Sequence, residues 1–262
     1  MSKVYAIINQ KGGVGKSTTA EALAAGLSLK GFKTLSIDLD AQGNMTYSAG
    51  AKGEGITALE VLQGEADAAS AVQHTETGDI IAATKALAGA DAFITDTGKE
   101  YRLKEALEAL EASLKAENGK PYDYIVLDTP PALGILTINA LTACTGVILP
   151  AQADIYSLQG VEQLSKTIQP VKKYCNPALK VEGILLTRYN PRTVLSREMA
   201  ELAGQVAVKL GTRLFQAAIR EAVVVKEAQI SQQSLFRYAP KANVTDDYSR
   251  FIAELLEGEE GV

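Results

Sequence analysis

The sequence predicts an α/β fold in which a mostly parallel central sheet carries helices on both faces. Three observations predict it. Short continuous apolar runs recur along the chain, segments of helical periodicity lie between them, and the first run leads straight into a glycine-rich loop. A strand buried on both faces reads as an unbroken apolar run, and parallel neighbours need crossover helices to join them. With 262 residues, 47% of them hydrophobic, the chain is expected to form one domain over 1–262.

The first strand is expected at residues 4–8, followed by a helix over 17–30 that is rich in alanine and leucine. The second strand, 34–37, runs out into Asp38-Leu39-Asp40. Residues 41–55 and 64–78 show neither period, being rich in Gly, Ala and polar residues, and read as loops or short helices. A helix follows over 99–115. The third clear strand, 124–127, ends at Asp128-Thr129-Pro130-Pro131, and a helix over 135–144 follows it. Strand 147–149, helix 157–174, strand 181–186 and helix 195–210 continue the alternation. A less regular strand at 213–219, a short helix at 223–232 and a last helix at 244–256 complete it.

The loop is Lys11-Gly12-Gly13-Val14-Gly15-Lys16-Ser17-Thr18. Its glycines permit positive φ and close approach, so successive backbone N–H groups can surround phosphate oxygens at a helix N-terminus. Lys16 is placed to reach the outer phosphates, and Ser17 carries a hydroxyl suited to magnesium. This is the pattern of a nucleotide site. It departs from G-x-x-x-x-G-K-[ST], because Gln10 holds the place of the first glycine and a second lysine, Lys11, follows it. One lysine suffices for the phosphates of one nucleotide, so Lys11 is expected to reach elsewhere.

Ligands of parallel sheets bind beyond the carboxyl ends of the strands, and three strand ends here deliver charge. Asp128 is expected to hold magnesium opposite Ser17. Asp38 and Asp40, two residues apart in extended chain, point to one side and repel without a cation or water between them. One is expected to order the metal shell and the other to orient an attacking water. With no histidine nearby, positioning rather than proton abstraction is expected, and turnover should be slow.

Composition excludes other classes. No apolar stretch is long enough to span a bilayer and no signal-peptide pattern opens the chain, so a cytoplasmic protein is expected. Cys144 and Cys175 lack companions at metal-ligand spacing, and His74, the single histidine, sits in a polar stretch. The net charge of −5 is uneven. Residues 1–165 hold 12 basic and 20 acidic side chains, residues 166–250 hold 14 and 7, and the last twelve residues add four glutamates. The late excess of base points to a localised surface for a polyanion.

The blocks at 8–18, 38–44 and 127–134, together with 101–107, 136–141, 150–154 and 183–190, closely resemble the ParA/Soj branch of the deviant Walker A ATPases, in the ParA/MinD superfamily of P-loop NTPases. The resemblance implies an ATP-dependent homodimer in which Lys11 crosses to the phosphates of the partner. It implies ATP contacts along 11–18, with Lys16 on the phosphates, and further ATP contacts from Thr187 and Arg188. It also implies magnesium at Ser17 and Asp128, Asp38 shaping the switch segment beside its expected place in the metal shell, Asp40 beside the hydrolytic water, and Asp154 near the dimer interface. Lys11, Lys16 and Asp40 are the expected catalytic set.

Family members of this type bind DNA nonspecifically, so the resemblance implies nucleoid association, a ParB-like centromere-binding partner and a role in partitioning DNA. Arg192, Arg220 and Lys226 are the expected DNA contacts, although Glu221 replaces the usual asparagine after Arg220. An amino-terminal helix-turn-helix is not expected. Nor is a basic membrane anchor, since the final helix ends in Glu257, Glu259 and Glu260. Positioning of a protein cargo or conjugation apparatus by the same switch is the alternative reading.

Overall fold

The computed structural model describes residues 2–260. In chain order its strands are β1 (Lys3–Ile7), β2 (Thr34–Asp38), β3 (Val72–Thr75), β4 (Gly78–Ile81), β5 (Tyr124–Asp128), β6 (Gly146–Gln152), β7 (Lys180–Thr187) and β8 (Leu214–Ile219). The helices are α1 (Lys16–Leu29), α2 (Asn44–Ser48), α3 (Ala58–Gln63), α4 (Ala90–Phe93), α5 (Arg102–Ala116), α6 (Ile135–Ala143), α7 (Ile155–Tyr174), α8 (Val194–Lys209), α9 (Val223–Ile230), α10 (Leu235–Tyr238) and α11 (Asn243–Glu260). The strands form one sheet in the order β3-β4-β2-β5-β1-β6-β7-β8. All neighbours are parallel except the edge pair β3 and β4.

Both faces of the sheet are buried, and the period-two alternation of each strand divides the core. Val4, Ala6 and Ile8 join Leu35, Ile37, Ile125, Leu127 and Val147 under α5, α6, α7 and α8. Tyr5 and Ile7 turn the other way, with Tyr124, Val126 and Ile148, to meet α1 and α11. This explains why the strands read as unbroken apolar runs.

The α/β class and every expected strand are present, but the segment 64–78 differs from its reading as loop or short helix. Val72–Thr75 is a strand, paired antiparallel with β4 through a tight turn at Glu76 and Thr77. Its sequence, Val-Gln-His-Thr, has none of the apolar density of a buried strand because it is an edge strand with no fully buried residue. His74 is exposed as expected, and its Nδ1 lies 2.6 Å from Asp79 Oδ1. α3 was also missed, although Thr57 and Glu60 form a complete capping box at its start.

The acidic end of α11 is only partly a solvent-facing feature. Glu259 accepts hydrogen bonds from the hydroxyls of Tyr124 (2.9 Å) and Tyr5, and Lys3 Nζ lies 2.5 Å from it. Burial first, and then Glu259, push both tyrosine hydroxyls above their usual range. The glutamate therefore fastens α11 to the amino end of the sheet. No helix among the described residues is long and apolar enough to cross a membrane.

Candidate nucleotide-binding site

β1 lies between β5 and β6, so the chain leaves the sheet's centre toward one side through α1 and β2 and later toward the other through α7 and β7. The glycine loop emerges at that switch point, where a crevice forms between diverging connections. Gly13 (φ 75°) and Gly15 (φ 84°) are left-handed, a conformation strained for any other residue. Gly15 caps α1, leaving the amides of its first turn directed at the crevice.

Neighbouring strands hold the loop's shape. Asn9 Nδ2 donates to Pro150 O (2.6 Å) while its Oδ1 accepts from the Lys11 amide (2.9 Å). Gln152 Nε2 donates to Gly13 O (2.9 Å), and Thr187 Oγ1 donates to Val14 O (2.8 Å). The loop is therefore pre-organised by β6 and β7 before any ligand arrives.

Beside the loop is a cleft of about 520 Å³, lined by Gly12, Gly13, Gly15, Lys16, Ser17, Thr18 and Asp40, with Tyr47 and Pro131 at its walls. Lys16 is buried at its base, and burial lowers its pKa against the opposing pull of Asp128 and Asp40. Asp38 and Asp128 are paired across β2 and β5 at their carboxyl ends, both fully buried. Burial pushes Asp38 from 3.8 up to about 6, and burial together with the nearby Asp38 carboxylate raises Asp128 well above the usual range.

These two aspartates have different surroundings. Asp38 Oδ1 accepts from the Asp40 amide (3.0 Å), and Oδ2 accepts from both the amide and the hydroxyl of Thr46 (2.8 Å each). Its oxygens thus hold the segment that leads from β2 into α2. Neither oxygen of Asp128 accepts a hydrogen bond, although Ser17 and Lys16 lie close enough to favour its ionised form. A buried carboxylate with free lone pairs beside a serine hydroxyl suits a hard divalent cation, so Ser17 and Asp128 fit magnesium. Asp40 Oδ1 accepts from the Gln42 amide (3.0 Å), and Asp40 lines the cleft.

A second cavity of about 130 Å³ adjoins the first, between Thr187, Ile219, Ala222, Val225 and Tyr248. Arg188 and Gln229 line both. Arg188 is left-handed (φ 50°), a strained conformation for a non-glycine residue, and its Nε stands 3.7 Å from Glu221. The position of this cavity beside the loop suits the base of a nucleotide whose phosphates occupy the loop. The structure therefore brings together Gly12 to Thr18, Asp38, Asp40, Asp128, Thr187 and Arg188. Val14 contributes only backbone, since its side chain is fully buried.

Lys11 is separated from its own cleft. Its Nζ lies 2.7 Å from Asp154 Oδ2, at the start of α7. Burial raises the Asp154 carboxyl, but its hydrogen bonds with Lys11 and Ser157 outweigh this and hold it below the usual range.

The three expected DNA contacts do not form one free basic face. Arg192 is exposed in the loop after β7. Arg220 makes a two-pronged pair with buried Asp247, at 2.6 and 2.7 Å. Lys226 lines both cavities. The late basic residues in fact divide by topology: Lys172, Lys173, Lys180 and Lys209 fall at the amino end of the sheet, and Arg188, Arg192, Arg197, Arg220 and Lys226 at the carboxyl end. Sequence reasoning also missed Asn9, Thr46, Gln229 and Glu21, whose roles depend on long-range partners. Glu21, on α1 behind the cleft, is raised to about 7 by burial, with Gln229 and Ser48 acting against the shift.

The family model described as an AAA domain, AAA_31, matches residues 2–181. The sporulation initiation inhibitor protein Soj of Bacillus subtilis is 38% identical over 253 residues, covering 95% of this chain and 96% of its own. The chain belongs to the Soj/ParA family of partitioning ATPases. The chromosome partitioning protein ParA of Caulobacter vibrioides is 37% identical, covering 98% of this chain and 95% of its own. Among solved structures, the cobyrinic acid a,c-diamide synthase of Mycobacterium smegmatis, with bound ADP and magnesium, is 33% identical. It has a TM-score of 0.83 and covers 99% of this chain and 96% of its own. The Soj/ParA assignment fits the deviant loop, since Lys11 is present and faces out of the cleft.

Proposed function

We propose that this Soj/ParA ATPase binds ATP with magnesium, dimerises face to face, binds DNA without sequence preference and partitions DNA with a ParB-like partner that stimulates hydrolysis. The observation that carries the reading is the outward Lys11. It neutralises Asp154 in its own subunit, so a second copy must offer it a stronger anion to draw it away. A triphosphate in an opposed cleft is such an anion. Ile155 and Tyr156 beside Asp154, and Val194 and Leu195 at the start of α8, are exposed apolar side chains at the same end of the sheet, in support of a covered face.

Within one site, Lys16 and the loop amides hold the phosphates, and Ser17 and Asp128 would hold magnesium, which would supply neutralisation of phosphate charge. Asp38 acts here through Thr46 and the Asp40 amide: by fixing that segment it sets where Asp40 presents its carboxylate to water. Water positioning by an unassisted carboxylate supports slow turnover.

For DNA, the carboxyl-end group is the supported surface, because it shares an end of the sheet with the nucleotide and so can respond to it. Arg192 and Arg197 have no carboxylate partner among the described residues and, unlike Arg188, Arg220 and Lys226, line neither cavity. Retention of purified protein on nonspecific DNA tests the reading. With ATP and magnesium, retention should appear and fall steeply with salt, and replacing Arg192 and Arg197 by alanine should reduce the logarithmic salt slope by about 0.9 per lost contact. No salt-sensitive retention by the folded ATP-bound protein would sink the DNA role and leave cargo positioning as the reading.

A further inference from the structure

We propose that Lys226 is a nucleotide ligand that holds the sugar-proximal phosphate of bound ADP or ATP, and is not part of the DNA surface. The proposal rests on the nucleotide-site reading above and deepens it.

The two cavities meet at a narrow set of residues: Gly15, Thr18, Arg188, Lys226 and Gln229 line both. A nucleotide laid across them places its outer phosphates against Gly12, Gly13 and Lys16 and its base beside Thr187 and Ile219. The sugar-proximal phosphate then falls at the junction, next to Thr18 in the first turn of α1. Lys16 is anchored on the other side, with Nζ 3.3 Å from the Lys11 carbonyl. It serves the outer phosphates, which leaves the inner one to another cation.

Two cations stand at the junction. Arg188 has Glu221 beside it. Lys226 has no hydrogen-bond or ion-pair partner among the described residues. α9 is held so that this exposed lysine lines the mouth of both cavities. Lys226 and Gln229 are three apart and share a face, and Gln229 Nε2 donates to Thr18 Oγ1 at 3.2 Å. The same helix end reaches the segment after β2, because Gln232 Nε2 donates to Tyr47 O at 3.0 Å. An ammonium on a flexible stem suits a phosphate at such a position, acting as a point charge without strict geometry.

The inner phosphate is common to ATP and ADP. A residue that binds it holds both nucleotides alike and contributes nothing specific to the cleavage of the outer one. This separates Lys226 in function from Lys16 and Lys11.

The test uses the full chain and Lys226→Met, which keeps the stem and removes the charge, with Lys226→Arg as the rescue. ADP and ATP affinities are measured by calorimetry with magnesium, alongside salt-dependent DNA retention at saturating ATP. Lys226→Met should weaken ADP and ATP by the same factor, about tenfold for one charge-assisted contact. Lys226→Arg should recover most of it, while the DNA salt slope at saturation stays as in the wild type. Unchanged nucleotide affinity, or a loss confined to ATP, would overturn the proposal. So would a DNA slope reduced by about one contact with affinity intact, which would return Lys226 to the DNA surface. If the wild-type chain bound neither nucleotide, the site reading itself would fail, an outcome distinct from an insensitive Lys226→Met.

Discussion

Asp128→Asn should make the ligand-free protein more stable at neutral pH while removing the magnesium-dependent part of nucleotide binding. Asp128 is fully buried, neither oxygen is hydrogen-bonded, and Asp38 and Asp40 add repulsion that Lys16 and Ser17 only partly offset. An ion so placed costs several kcal/mol, whereas the neutral amide leaves polar atoms unsatisfied at roughly 1–3 kcal/mol. Lys16 also loses a partner, which trims the gain. The net expectation is about 1–3 kcal/mol of added stability at pH 7.5.

The sign with pH follows from the raised folded-state pKa of Asp128. Its protonated form stabilises the fold below the unfolded-state value near 3.8, and this contribution is lost as pH rises through the folded-state value. Wild-type stability should therefore fall between pH 5 and 7.5 more steeply than that of Asp128→Asn. Asp38, raised to about 6 mainly by burial, adds a slope of the same sign in both proteins, smaller in Asp128→Asn, where the neighbouring carboxylate is gone. Urea unfolding at pH 5 and pH 7.5, without nucleotide or magnesium, measures the difference. A variant less stable at pH 7.5, or two proteins with parallel pH profiles, would refute the reasoning. With ATP and magnesium present the order should reverse, since only the wild type gains the full binding contribution.

Other substitutions probe the remaining parts. Thr46→Val removes the hydroxyl that donates to Asp38 and accepts from the Ala83 amide, both at 2.8 Å and buried, and should cost roughly 2–4 kcal/mol in urea unfolding. Arg220→Ala leaves buried Asp247 with only a backbone donor. It should lower stability by about 1–3 kcal/mol, reduced by the partial exposure of the guanidinium, so any loss of DNA retention must be compared with folded fraction. Asp40→Ala should keep ATP binding but slow phosphate release by roughly 10²-fold, read in single turnover. Asp154→Asn keeps a cap for α7 and frees Lys11. It should bring ATP-dependent dimerisation to a protein concentration about two- to fivefold lower, the worth of a partly exposed ion pair.

Most of the fold was legible because five of the eight strands, β1, β2, β5, β6 and β7, lie where both sheet faces are buried, and burial writes itself as apolar runs, whereas the edge strand β8 keeps Gln216 exposed and reads less clearly. β3 was not, because an edge strand with one wet face can be as polar as Val-Gln-His-Thr, and β4 offers only two apolar residues after its turn. The phosphate loop and the three aspartates were legible from local spacing. Thr46 was not, since its bond to Asp38 spans a loop whose path no periodicity describes. Charge counting placed excess base in the last third but could not see that alternate connections carry those residues to opposite ends of the sheet. Nor could it see that Arg220 is committed to Asp247 and that Lys226 faces the nucleotide cleft.

Sedimentation of the wild type and Lys11→Ala with ADP and with ATP, each with magnesium, tests the central claim most directly. The wild type should be a monomer with ADP and a dimer with ATP, and Lys11→Ala should bind ATP with unchanged affinity yet stay monomeric. A dimer of Lys11→Ala as stable as the wild type's, or a wild type that stays monomeric when saturated with ATP, would contradict the reading of Lys11 as the residue that links nucleotide to a second subunit.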